Sequence, residues 1–328
     1  MNRASANINL MIKAARFAAK RLLRDFGEVE NLQVSQKSPS DFVTRADRKA
    51  EESIQTDLTE GRPNYGWLGE ESGEKKGSDP TRKWIVDPLD GTTNFLHGIP
   101  HWAISIALEY KSEIVSAVVY DPLKDELFWA EKGSGCYMNE KRCRVSNRRN
   151  LNEMIFSTGI PFANKSGDLS LTLAELNNLM PECAGVRRLG AASLDLAYVA
   201  SGRYDGFWER GLQSWDIAAG LLLVKEAGGL IEPINIENDV LKDGELIAGN
   251  EISFEKYIKP LDDRWSKFWP NKDRKLIKHS NDFGYFKLEA KCNWKFAIEN
   301  YCESYHLPWV HPGLNSYSKI EDHYHIQG

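Results

Sequence analysis

The chain has 328 residues, 41% hydrophobic and 27% charged, which excludes wholesale disorder and leaves room for one large α/β unit with a remainder. Its formal net charge of −5 argues against a general polyanion-binding surface, so no nucleic-acid partner is expected. Five cysteines, Cys136, Cys143, Cys183, Cys292 and Cys302, form no CxxC pair; neither a disulfide framework nor a zinc site is indicated, and a reducing cytoplasm fits.

The N-terminus, MNRASANINLMIKAARFAAKRLLRDF, is interrupted by charges too often for a secretory leader. No run approaches the roughly 18 apolar residues of a membrane span, so the expectation is a soluble protein with no membrane partner. Ile8, Met11, Ile12, Ala15, Phe17, Ala18 and Leu22 recur at helical spacing and predict an amphipathic, core-packed helix over 5–26; the same reasoning predicts a second helix over 47–60. Strand-like apolar runs follow at 84–86, 103–109, 114–120 and 126–129, with turns at Asp121-Pro122 and at 133–135. Arg142, Arg144, Arg148 and Arg149 cluster in a turn-rich stretch and read as a solvated loop face. Helical patterns return at 168–180, 193–201 and 215–227, the last stopped by Gly228-Gly229. Layers of helix and sheet are the simplest arrangement. Near residue 260 the chain turns polar, aromatic and weakly periodic, which places a boundary between a 1–259 domain and a 260–328 remainder.

Three separated segments carry acids beside turn residues: Gly69-Glu70-Glu71-Ser72, Asp87-Pro88-Leu89-Asp90-Gly91-Thr92-Thr93-Asn94, and Trp215-Asp216. Magnesium takes hard oxygen ligands, so a cation cluster needs several carboxylates gathered from distant parts of a chain. In the middle segment an apolar strand ends in Asp87, and Pro88 is expected to turn the chain before Asp90, so two carboxylates flank one bend. Gly91-Thr92-Thr93 then offers backbone N–H groups suited to a phosphate oxygen. Each segment also has a plainer reading. Asp216 alone is the cap of a helix, Asp87 and Asp90 alone are turn formers, and His97 and His101 are packing residues.

Taken together, GEES, WIVDPLDGTTNFLHGIPHWAISIAL and WDIAAGLLLVKEAGG resemble the inositol monophosphatase family, in its order and spacing. The resemblance runs from about residue 5 to about 255 and includes KSPSDFVTRAD, RRLGAASLDLAYVASGRYDGFWE and IAGN. It implies a layered αβαβα sandwich and a Mg²⁺-dependent, Li⁺-sensitive phosphomonoesterase that forms a homodimer. It further implies Glu70, Asp87, Asp90 and Asp216 as metal ligands with the Leu89 carbonyl, and Thr92 with Asp47 (and Glu70 through the metal) as the catalytic group that positions the attacking water. Gly91 and Thr92 would hold the phosphate, and Asp90, Gly190, Ala191, Ala192 and Glu209 would face the alcohol. Inositol 1-phosphate is the expected substrate, with fructose 1,6-bisphosphate, histidinol phosphate and a nucleotide 3′-phosphate as alternatives.

The final residues, including NWKFAIENYCESYHLPWVHPGLN, resemble instead the catalytic domain of Rieske-type non-haem iron oxygenase α subunits, over about 264–328. That resemblance makes His306 and His311 counterparts of iron ligands and Glu303 the acid linking iron to electron transfer. Five residues apart, the histidines would diverge by about 140° on a regular helix, and Pro308 supplies the needed interruption. The third carboxylate ligand and the Cys/His segments of a Rieske cluster are absent from the sequence, so the expectation is a truncated α+β oxygenase fragment without functional iron. Independent oxygenase activity is the remote alternative. Trp265, Phe268, Trp269, Trp294, Tyr301 and Trp309 would leave such a fragment apolar, poorly folded and open to proteolysis.

Overall fold

Helix α1 (Ala6–Phe26) starts where the Ser5 hydroxyl accepts the Ile8 amide, and its buried face reads Ile8, Met11, Ala14, Ala15, Ala18, Ala19 and Leu22. Four alanines on that face allow close approach to α2 (Arg45–Gly61), which buries Ala46, Ala50, Ile54 and Leu58. Phe17 departs from expectation: it lies outside the apolar stripe and is 58% exposed. The computed structural model describes residues 4–28, 34–38, 41–160, 169–234 and 238–250, and the whole 260–328 remainder lies outside them.

Strands β1 (Val34–Ser38) and β2 (Asp41–Thr44) form an antiparallel hairpin. They precede a sheet built from β3 (Tyr65–Gly69), β4 (Gly73–Lys75), β5 (Asp79–Asp90), β6 (Ala103–Tyr110), β7 (Glu113–Asp121), β8 (Glu126–Glu131), β9 (Gly135–Met138) and β10 (Lys141–Arg142). Its order is β10-β9-β8-β7-β6-β5-β3-β4, antiparallel except where β3 lies parallel to β5. The short α3 (Thr92–Leu96) joins β5 to β6. A second, mixed sheet of order β12-β11-β13-β15-β14 contains β11 (Ile155–Thr158), β12 (Gly185–Arg187), β13 (Gly206–Glu209), β14 (Leu230–Glu232) and β15 (Leu246–Gly249). Helices α4 (Leu169–Leu179), α5 (Ala192–Ala200), α6 (Ser214–Glu226) and α7 (Val240–Asp243), with a one-turn 3-10 helix over Leu151–Glu153, complete the described elements.

The period-2 alternation of the large sheet assigns the layers. Ile104, Ile106 and Leu108 of β6 face the α1/α2 core, while Ala103 and Ala107 face α5 and α6. All nine residues of α5, and Ile217 through Val224 of α6, are buried, as expected of helices covered on both sides by sheets. On the outer face of the second sheet, the Trp208 indole and Arg210 both donate to Glu175 of α4. The layers therefore run α1/α2, large sheet, α5/α6, small sheet, α4, an α/β sandwich.

Two local expectations need correction. β5 does not end at Asp87; it continues to Asp90 through a bulge, seen as the register shift between Asp87↔Ser105 and Asp90↔Ala103. Proline lacks an N–H for the ladder, and a bulge is where a strand tolerates it. Arg148 is not merely solvated, because its guanidinium pairs at 3.1 Å with the fully buried Asp205. Among the described residues no helix is long and apolar enough to cross a membrane.

Where α6 crosses α5, a side chain at Gly220 would overlap Leu196. Alanine normally stabilises a helix relative to glycine by about 1 kcal/mol, but overpacking costs about 1–3 kcal/mol. Gly220→Ala is therefore expected to lower stability in urea titration by about 1–2 kcal/mol; an increase would show that the contact yields easily.

Candidate active site

Helix α2 carries Asp47, which is 1% exposed, in its first turn and buried Glu51 one turn later on the same face. Both oxygens of Glu51 are used on the neighbouring β3–β4 turn: one accepts the Glu71 amide and the other the Ser72 amide, each at 2.8 Å. The Trp67 indole donates to Ser72 Oγ at 3.0 Å, and a side chain at Gly69 would overlap both Trp67 and Glu51. These contacts fix a turn whose Glu70 and Glu71 carboxylates gather with Asp47, one oxygen of each lying within 4.8 Å of the others.

The β5 bulge supplies the next two acids. Asp87 Oδ1 accepts the Leu89 amide at 2.9 Å, a side-chain-closed turn that aims the Leu89 carbonyl at the Thr92 hydroxyl, 2.9 Å away. Asp90 closes the bulge and accepts the Ser193 amide at 2.8 Å and the Ser193 hydroxyl, both on Oδ2. Gly91 follows with φ +91°, where a side chain would press on the His101 carbonyl at 3.0 Å. Asp216 enters from the first turn of α6, and its Oδ2 accepts the Gln213 amide at 2.7 Å, so it does cap its helix.

Capping is only part of its role, as the electrostatics show. Burial pushes Asp87 well above the usual carboxylate range, and the charges of Glu70, Asp90, Asp216 and Asp47 push it further. Burial and Asp216 raise Asp90 to about 7 against the lowering hydrogen bonds from Ser193 and Ala192. Acids from four separated segments thus act on Asp87 at one place, with Asp47, Asp87 and Asp90 buried and Glu70 and Asp216 half-buried at its edge. The donors are carboxylates with an adjacent backbone carbonyl, a hard-oxygen set that fits a divalent cation such as Mg²⁺.

On the other side of the site, the Asn94 amide donates to the His101 and Leu189 carbonyls, each at 2.8 Å, tying the loop around α3 to the approach to α5. There Gly190 has φ +79°, Ala191 is the extended residue before α5, and Ala192 opens the helix. Glu209 ends β13 against Gly159, where a side chain would overlap its carboxylate. His101 is buried beside Lys124 and Asp121, and burial depresses its pKa to about 4, as befits a packing residue; His97 is exposed at the end of α3. Glu303, His306 and His311, with the aromatic residues named beside them, lie outside the described residues.

Sequence reasoning did not single out Glu51, Asn94, Ser193 or Asp195. Glu51 had a readable signal in its i, i+4 spacing from Asp47. Ser193 and Asp195 had none, because their partners are remote in sequence: Ser193 meets Asp90 across 103 residues, and Asp195 accepts the Ser157 hydroxyl at 2.8 Å across 38.

Residues 4–266 match the profile of the inositol monophosphatase family, and residues 278–328 match that of the ring hydroxylating alpha subunit (catalytic domain). The inositol-1-monophosphatase of Rhizobium meliloti is 55% identical over 247 residues, 75% of this chain and 92% of that protein. The Nus factor SuhB of Pseudomonas aeruginosa is 45% identical over 254 residues, 76% of this chain and 94% of that protein. Among solved structures, extragenic suppressor protein SuhB from Bartonella henselae superposes with a TM-score of 0.74 at 53% identity, covering 77% of this chain and 96% of that one.

An unfolded aspartate loses its proton near 3.8, whereas folded Asp90 keeps it up to about 7, so the folded state binds the extra proton in between and loses stability as pH rises through that window. Buried His101 acts in the opposite sense from 6.5 down to about 4, which makes Asp90→Asn the proper reference. In chelator, the stability of wild type minus that of Asp90→Asn is expected to fall by more than about 1 kcal/mol between pH 4 and pH 8. A difference independent of pH would show that Asp90 ionises normally.

Proposed function

The chain belongs to the inositol monophosphatase family and is a Mg²⁺-dependent phosphomonoesterase, and from that premise we propose that it hydrolyses inositol 1-phosphate or a close polyol phosphate. The observation that carries the reading is the convergence of Asp47, Glu70, Asp90 and Asp216 on the buried Asp87, whose pKa their charges raise further. Glu70, Asp87, Asp90, Asp216 and the Leu89 carbonyl are assigned to the cation. When bound, Mg²⁺ supplies a polarised phosphoryl oxygen, a more acidic water and a stabilised leaving alkoxide.

The chain's own groups do the positioning. Thr92 and Asp47 are assigned to the attacking water: the Thr92 hydroxyl, whose proton goes to the Leu89 carbonyl, retains lone pairs that accept from a water, and Asp47 is a carboxylate able to take a proton. The Gly91 and Thr92 amides are assigned to the phosphate. Glu209, the backbone of Gly190, Ala191 and Ala192, and Asp90 are assigned to the alcohol, and the Asn94 bridge supports holding those two sets at fixed separation. Metal ligands do not choose between inositol 1-phosphate, fructose 1,6-bisphosphate, histidinol phosphate and a nucleotide 3′-phosphate; the shape around Glu209 does.

A homodimer is supported by α4, which buries Thr172 and exposes Leu169 and Leu173, with Met180 exposed just after it, the reverse of a solvent-facing helix. A cytoplasmic setting is consistent with free Cys136, Cys143 and Cys183. Residues 260–328 are read as an oxygenase-like segment that follows a 1–259 phosphatase domain, on the strength of the second profile match.

Phosphate release from the four candidate esters tests the reading. Mg²⁺-dependent, Li⁺-sensitive turnover is expected to favour inositol 1-phosphate, and Asp87→Asn is expected to lower kcat at least about 100-fold by removing a ligand charge. Preference for another ester would move the substrate assignment to that ester; undiminished turnover by Asp87→Asn would remove the metal assignment.

A further inference from the structure

We propose that Ser193 is a positioning residue for the metal site: its amide and hydroxyl together pin the Asp90 carboxylate through Oδ2 in the orientation in which it would serve the cation. This rests on the assignment of Asp90 as a metal ligand.

The two bonds converge on one oxygen, from the amide at 2.8 Å and from the hydroxyl of the same residue. Asp90 needs such a hold. It stands at the end of a bulge, where ladder pairing is interrupted, and it faces the like charge of Asp216, which favours turning the carboxylate away. Ser193 can provide the hold because α5 is buried along all nine residues between two sheets, so the helix cannot shift without moving both.

The residue type supports the same conclusion. Ser193 is fully buried in the first turn of a helix that otherwise uses Ala192, Ala197 and Ala200 as its small residues. Alanine would suit the helix better, by about 0.5 kcal/mol, and a buried hydroxyl is unfavourable unless bonded. Its bonding partner is a carboxylate of the metal site, so the hydroxyl is retained at a position where propensity and burial both favour alanine. Groups that orient ligands in this way typically change metal affinity about 10–100-fold when removed.

The test uses the full chain and Mn²⁺ as a paramagnetic probe, with free ion counted by electron paramagnetic resonance for wild type, Ser193→Ala and Asp90→Asn. Far-UV circular dichroism and urea midpoints are recorded on the same samples. The expected result for Ser193→Ala is Mn²⁺ affinity about 10-fold weaker, with folding unimpaired and the KM for ester unchanged at saturating Mg²⁺; Asp90→Asn is expected to bind Mn²⁺ more weakly still. Wild-type affinity in Ser193→Ala beside impaired Asp90→Asn would overturn the role of Ser193 alone. Wild-type affinity in Asp90→Asn would overturn the ligand assignment and this proposal with it. Weakening that merely tracks a loss of folded protein would reduce Ser193 to a structural residue.

Discussion

Repulsion of the buried Asp87 by the carboxylates around it is the constraint around which the site is organised. Asp87 is pushed up first by burial and then by Glu70, Asp90, Asp216 and Asp47, which reach it from α2, the β3–β4 turn, the β5 bulge and α6. Such a group is unfavourable unless protons or a cation neutralise it, and the folded chain therefore accepts a local instability that metal binding relieves. A scaffold that tolerates this must resist the acids moving apart. Backbone amides do much of that work: Glu51 holds the turn carrying Glu70, Asp87 closes on the Leu89 amide, and Asp216 accepts the amide of Gln213.

The layering explains why these holds are firm. α5 and α6 occupy the middle of the sandwich and bring Ser193 and Asp216 to Asp90 from helix starts that cannot slide independently. Gly220 brings the two helices close, and Asn94 links the loop after the bulge to the Leu189 carbonyl just ahead of α5. Rigid elements thus meet at the acids, while the loops bearing Gly91 and Gly190 adopt positive φ angles beside them.

Much of the fold was legible in the sequence because amphipathic spacing and turn residues are local. The helices over 5–26, 47–60 and 215–227 and the strands over 103–129 appear within a few residues of expectation. The bulge after Asp87 was not legible, since register belongs to the pairing of β5 with β6 and not to either strand alone. Phe17 and Arg148 were misread for a related reason: one apolar side chain faces outward, and one surface-like arginine serves a buried acid that lies 57 residues away. Asp216 shows that the plain reading and the chemical one are compatible, because it accepts the amide at its helix start while its charge acts on Asp87 and Asp90. The acids were recognisable as a set only through the family resemblance; spacing alone leaves Asp47 unconnected to Asp87. Ser193 needed the structure, because the carboxylate it holds comes from another element 103 residues away.

The most direct test of the carboxylate account is the proton count on adding Mg²⁺ to chelator-stripped protein in weak buffer near pH 6. Asp87 is held well above the usual range and Asp90 near 7, so cation binding should release on the order of one proton or more per chain, and the share that comes from Asp90 should fade as the pH is raised above about 8. Saturable Mg²⁺ binding with no proton release near pH 6 would show that the acids are already ionised and that their mutual repulsion is not what the cation relieves.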